Sequence, residues 1–231
     1  MHIEGSEILR NLPETNVLFI SNHQTYFADV VAMFHVFNAS LKGREDNIKN
    51  VAYLWNPKMN LYYVAAKETM KSGLLPRILA YAGAISVERT WRAEGKDVKR
   101  EVNPNDTENI KIALEDGWVI TFPQGTTRSF KPVRKGTAHI IIQHKPIVVP
   151  IVIDGFRRSF DRKGLRVKKK GILQSMVIKE PLQIDYENEQ VDSIIEKIEY
   201  AIEQHPSFLK VIPLEEIEEQ EKLNKQRKWS Y

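Results

Sequence analysis

The chain has 231 residues, 42% of them hydrophobic and 28% charged, with a formal net charge of +4. That is enough apolar material for a core in one large domain or two small ones. The absence of cysteine excludes a disulfide framework, a thiolate metal site and a cysteine nucleophile, and fits a reducing compartment. No run approaches the ~18–20 apolar residues of a membrane-spanning helix. The opening "MHIEGSEILRNLPETN" lacks the charged-then-apolar order of a secretory leader, so none is expected.

In chain order, "VLFIS" (17–21) reads as a short buried strand and "FADVVAMFHVF" (27–37) as a helix packed on it. "LYYVAA" (61–66) is the next strand, followed by a helical pattern that Pro76 should kink or divide. "AISVE" (84–88) alternates as a strand does, and "WRAEGKDVKREVNPND" is a polar excursion. Pro104 or Asn105 opens a helix that Gly117 stops. "WVITF" (118–122), "IVVPIVI" (147–153) and "ILQSMVI" (172–178) read as strands, with helices at 134–145 and 191–204. Strands that are continuous apolar runs, alternating with helices, predict an α/β fold: a largely parallel central sheet with helices on both faces. One domain is expected over 1–231, with its motif-bearing core at 17–180 and a charged helical tail at 191–231.

Charge is uneven. Residues 191–231 carry 9 acidic and 6 basic side chains, leaving +7 on the first 190. The densest block, "FRRSFDRKGLRVKKKG" (156–171), holds 8 Lys/Arg and one Asp. It reads either as a solvated, disordered or hairpin loop, or as a surface for phosphates of lipid headgroups or of a carrier. It lacks the repeated aromatics of a single-strand platform, so nucleic acid is not an expected partner. Trp55 and Trp91 are candidate membrane-contact aromatics or core residues.

In parallel sheets ligands sit beyond the carboxyl ends of the strands. His23, Arg89 and "PQGTTR" each follow such an end, so three polar clusters converge on one edge. An imidazole titrates near ~6.5 and can accept a proton at cellular pH. A neighbouring carboxylate fixes its tautomer and stabilises the imidazolium, and Asp29 lies within reach of His23. The plainer readings are a loop-bonding histidine and an acid favoured by a helix N-terminus. Arg89 and Arg128 offer rigid guanidinium forks for phosphate or carboxylate, or form surface ion pairs. Lys67 assists them or pairs locally with Glu68. Gly125 permits a tight turn that exposes amides to an anion. His139 and His144, five apart, do not share a helical face, His35 sits among apolar residues, and no metal site is expected.

"SNHQTYFAD" resembles the first signature of the glycerolipid acyltransferase superfamily, the lysophosphatidate and glycerol-3-phosphate acyltransferases, usually Asn-His, four residues, Asp. "GAISVER" (83–89), "FPQGTTRS" (122–129) and "VVPIVI" (148–153) resemble its later blocks in order, and the likeness covers about 17–179. It implies that His23 is a general base oriented by Asp29, and that Arg89, Gln124, Gly125, Thr126, Arg128 and Lys67 bind substrate, with Pro150 setting shape. It implies a donor thioester of acyl-carrier protein or coenzyme A, a lysolipid acceptor, no cofactor, and peripheral residence on the inner face of the cell membrane; the 156–171 block, by its charge, is the candidate contact with that surface.

Two departures stand out. Five residues, not four, separate His23 from Asp29, so their contact needs a different backbone path. Gln124 stands where glutamate is usual, with Thr127 as an extra residue. Glutamine is neutral and also donates. It therefore either suits a different acceptor, such as a lyso-aminolipid or a hydroxylated pigment or polyene, or preserves a loop hydrogen bond. A non-catalytic lipid-binding module is the reading from another class.

Overall fold

A computed structural model describes residues 1–57, 59–66, 84–87, 92–93, 96–97 and 104–209. In chain order the elements are β1 (His2–Glu4), β2 (Val17–Ser21), α1 (Ala28–Leu41), β3 (Leu61–Ala66), β4 (Ala84–Val87), β5 (Arg92–Ala93), β6 (Lys96–Asp97), α2 (Pro104–Asp116), β7 (Trp118–Thr121), α3 (Lys135–His144), β8 (Ile147–Asp154), α4 (Phe156–Ser159), β9 (Ser175–Ile178) and α5 (Val191–Ala201). Short 3-10 turns occupy Ser6–Asn11, Val51–Trp55 and Pro206–Phe208. Seven strands form one sheet in the order β1-β9-β8-β2-β7-β3-β4. Strands β8, β2, β7, β3 and β4 run parallel, β9 is antiparallel to β8, and β1 follows β9. The α/β fold expected from the sequence, with a largely parallel sheet, is the one observed.

Every residue of β2 and β7 is buried, as expected for strands covered on both faces. The pleat sends alternate side chains to opposite sides. Val17, Phe19, Trp118 and Ile120 share one core with Met33, Val36 and Phe37 of α1. Leu18, Ile20, Val119 and Val148 share the other with Leu114 of α2, Ile141 of α3 and Ile194 and Ile198 of α5. Helices therefore lie on both faces.

This arrangement decides where a site can form. Strand β2 leads through α1 to β3, beyond β7, whereas β7 leads through α3 to β8, beyond β2. Neighbouring strands thus send their chains away in opposite directions, the topology at whose carboxyl ends parallel sheets place their ligands.

Where the fold departs from the sequence reading, the causes are local. Strand β1 escapes notice because its three residues bury one apolar side chain, Ile3. Strand β9 begins at Ser175 rather than 172: Leu173 is exposed, and the Gln174 amide donates to Ser159 Oγ at 2.6 Å. Helix α1 continues to Leu41, four residues past its expected end. Trp55 is 91% exposed. The Pro76 segment, Trp91 and the tail beyond 209 lie outside the described residues.

The centre of the α1-side core is an aromatic trio. Phe19 stands 4.5 Å from Phe37 and 5.2 Å from Trp118, ring to ring. Trp118 Nε1 donates to the Pro13 carbonyl at 2.7 Å, which satisfies its one polar atom. Phe19→Ala leaves a void between three elements and is expected to lower unfolding free energy by about 3–5 kcal/mol, measured by urea titration. A loss below about 1 kcal/mol would show that the trio is not a packing centre.

Candidate active site

The chain leaves β2 through Asn22, His23 and Gln24, and the first and third of these fasten to β8. Asn22 is buried; its Nδ2 donates to the Ile153 carbonyl and its Oδ1 accepts the Ile153 amide, both at 2.8 Å. The side chain thus extends the ladder that ends at Ser21–Ile151. Gln24 Nε2 reaches the Ile153 carbonyl and Asp154 Oδ1, each at 3.2 Å. With its two neighbours fastened to β8, His23 meets the other adjoining strand. Its ring stacks on Phe122, just past β7, with centroids 3.8 Å apart and planes 23° from parallel.

Asp29 sits in the first turn of α1 with no exposed surface, and the His23 side chain keeps 12% exposure. Asp29 Oδ2 accepts from His23 Nδ1 at 2.9 Å and from the amides of Gln24 at 2.6 Å and Thr25 at 2.9 Å. Oδ1 accepts from Thr25 Oγ at 2.7 Å. An ionised carboxylate only accepts, so Nδ1 supplies the proton in this pair. In the neutral ring this leaves the lone pair on Nε2, the arrangement a general base requires. The helix N-terminus favours the same negative charge, so the two readings of Asp29 describe one residue.

The longer spacing is absorbed here. The amides of Gln24 and Thr25 turn to the carboxylate, and those of Tyr26 and Phe27 donate to the carbonyls of Arg162 and Lys163 at 3.1 and 3.0 Å. Four consecutive amides of the widened loop, those of residues 24–27, each have an acceptor.

The loop after β7 holds the third block. Gly125 takes a left-handed φ of 63°, and its own amide donates to the Phe122 carbonyl at 2.9 Å, closing a tight turn. Gln124 is buried, with Nε2 donating to the Lys131 carbonyl at 2.6 Å and to Gln204 Oε1 at 3.3 Å. Its amide nitrogen thus binds the loop to itself and to the segment after α5. Gln204 Oε1 also accepts the Phe130 amide at 2.9 Å, and Glu199 Oε1 accepts that of Val133 at 2.9 Å. Thr126 Oγ accepts the Arg128 amide at 3.3 Å. Arg128 is exposed and has no ion-pair partner among the described residues.

Thr25, Phe122, Gln204 and Glu199 shape this site without having been singled out by the sequence reading. Arg89 and Lys67 follow β4 and β3 in the chain but lie outside the described residues. His35 is elsewhere: its Nδ1 is 2.9 Å from the Tyr53 hydroxyl, and burial lowers its pKa. His139 is exposed on α3, and burial, with help from Lys111, lowers the pKa of His144. Among the described residues no helix is long and apolar enough to cross a membrane.

Residues 2–154 match the model of a family described as Acyltransferase. The chain is 26% identical over 200 residues to a 1-acyl-sn-glycerol-3-phosphate acyltransferase of Cocos nucifera, an alignment that takes in 85% of this chain and 54% of the relative. It therefore spans about half the length of that curated relative. The crystal structure of the 1-acyl-sn-glycerophosphate (LPA) acyltransferase PlsC from Thermotoga maritima shares the fold, with a TM-score of 0.51 and 15% identity over 87% of this chain and 68% of that one. The family match covers well over half of the sequence and takes in His23, Asp29 and the loop from Phe122 to Arg128: the chain belongs to the acyltransferase family.

Proposed function

We propose that the protein transfers an acyl group from a thioester, of acyl-carrier protein or coenzyme A, to a hydroxyl of a lysophospholipid, most simply 1-acyl-glycerol-3-phosphate. The observation that carries this reading is the His23–Asp29 pair at 2.9 Å just past the carboxyl end of β2, with no hydrogen bond to Nε2 among the described residues. The family match and the name of the Cocos nucifera relative support the choice of reaction and acceptor.

In this mechanism His23 Nε2 takes the proton of the acceptor hydroxyl as its oxygen attacks the thioester carbonyl. Asp29 stays ionised and steadies the imidazolium. The tetrahedral intermediate collapses by breaking the carbon–sulfur bond, and the proton passes from Nε2 to the departing sulfur. A thioester is reactive enough that positioning and a general base suffice, so no covalent enzyme intermediate or added cofactor is called on. Arg128 and Arg89 hold the acceptor's anionic group, with Lys67 assisting. The Gly125 amide closes its own turn, which leaves the amides of Thr126 and Thr127 for the oxyanion. Gln124 acts through the loop, because its nitrogen is engaged by Lys131 and Gln204. That engagement favours a loop-stabilising glutamine over one that selects a different acceptor. An amphipathic acceptor places the reaction at a membrane surface, with the protein peripheral on its inner face.

His23→Ala is expected to reduce kcat by about 10²- to 10⁴-fold with the fold intact, measured as thiol release from a labelled acyl thioester plus lysophosphatidate; turnover near the parent's would remove the mechanism. Arg128→Ala and Gln204→Ala are expected to raise the acceptor KM by roughly tenfold, about one lost hydrogen bond's worth. Donor KM should change little in either. Equal effects on both substrates would show that the loop does not serve the acceptor.

A further inference from the structure

The segment joining β8 to β9 begins just past the family-matched residues, which end at Asp154. Composition alone leaves it as a charge run, but its backbone is folded. Phe160 and Val167 form an antiparallel bridge, the Asp161 amide donates to the Arg166 carbonyl at 2.9 Å, and the Lys168 amide to the Ser159 carbonyl at 2.7 Å. Asp161 Oδ1 accepts the amides of Leu165 at 2.8 Å and Arg166 at 3.1 Å, which holds its carboxyl below the usual range.

This hairpin is seated on the loop that carries the His23–Asp29 pair. Its carbonyls at 162 and 163 take the amides of Tyr26 and Phe27, and the Arg162 guanidinium lies 5.3 Å from the centre of the Tyr26 ring. Gly164, at φ 76°, approaches so closely that a Cβ would stand 2.6 Å from the Ala28 nitrogen and 2.7 Å from Thr25 Oγ. Thr25 is the residue whose hydroxyl donates to Asp29.

What the hairpin turns outward is a mixture. Leu165, Val167 and Leu173 are 39%, 59% and 68% exposed. Between and beside them Arg162, Lys163, Arg166, Lys168, Lys169 and Lys170 are exposed as well. Of the segment's eight basic residues Arg158 pairs with Asp154; the other seven make no ion pair among the described residues. An occupant must therefore offer negative charge and apolar depth within one side chain's length of each other, as the headgroup–acyl boundary of a bilayer does.

We propose that the 160–173 hairpin is the docking surface for an anionic lipid bilayer, and that its seat on the 24–28 loop sets the mouth of the His23–Asp29 pair against that surface. Binding itself does not depend on the acyl-transfer reading; its use in catalysis does. The test is co-sedimentation of the full chain with vesicles of phosphatidylcholine alone or mixed with phosphatidylglycerol. Binding is expected only to the mixed vesicles and to weaken with salt. The triple substitution Lys168→Gln, Lys169→Gln, Lys170→Gln should weaken it on the order of 100-fold. Leu165→Ser with Val167→Ser and Leu173→Ser should remove the part that survives high salt. Without any substitution, mixed vesicles should protect Lys163 and Lys168–Lys170 of the parent from acetylation while Lys135 and Lys145 react as before. His23→Ala should bind as the parent does, so loss of turnover and loss of docking are read separately. Equal binding to both vesicle types, unprotected hairpin lysines, or substitutions that impair use of acyl-carrier thioester and leave vesicle binding intact would overturn the proposal; the last outcome would make the hairpin a carrier-docking face.

Discussion

A buried carboxylate organises this end of the molecule. Asp29 has no exposed surface and gathers the His23 imidazole, two backbone amides and a threonine hydroxyl. An anion so placed is tolerated only because donors surround it. The same donors order the 24–28 loop and fix which imidazole nitrogen carries the proton. Local folding and chemical competence are here a single constraint: the loop exists in this shape because the carboxylate needs its amides, and the base is oriented because the carboxylate needs one donor more.

The sheet supplies the rest of the geometry. Ladder pairing sets β2 beside both β7 and β8, so the residues beyond Ser21 choose between two neighbours. Asn22 and Gln24 take β8, and His23 takes Phe122 beside β7. The loop that carries Arg128 is then held from the far end of the chain, by Gln204 and Glu199 at the close of α5. A helix late in the sequence therefore serves the site although it carries none of the motif residues. The basic hairpin completes the rim by resting on the same loop as the histidine, which links the charged surface to the dyad through backbone hydrogen bonds and the close approach of Gly164.

Much of this was legible in the sequence, and for identifiable reasons. The continuous apolar runs of β2, β7 and β8 announce strands buried on both faces, and the Asn-His and Phe-Pro-Gln-Gly blocks stand where a parallel sheet presents its ligands. The His23–Asp29 contact was harder to foresee, because counting residues does not show how a loop bulges: the added residue is taken up by a run of amides that all find acceptors. Gln124 was balanced between two roles, and its partner 80 positions away carries no local signal. The basic block announced its charge and left its shape open, a hairpin being one choice among several, since the hydrogen bonds that fold it join main-chain groups which composition does not report. Arg89 and Lys67 remain sequence-based assignments.

The imidazole's tautomer tests the central claim most directly. With nitrogen-15 in the rings of the 6 histidines, and His23 assigned by comparison with His23→Asn, the neutral ring is expected to show a protonated Nδ1 and a pyridine-like Nε2. Asp29→Asn should abolish that preference. A His23 ring protonated at Nε2 in the parent protein would mean that Asp29 does not set the base, and the account of the site would fail with it.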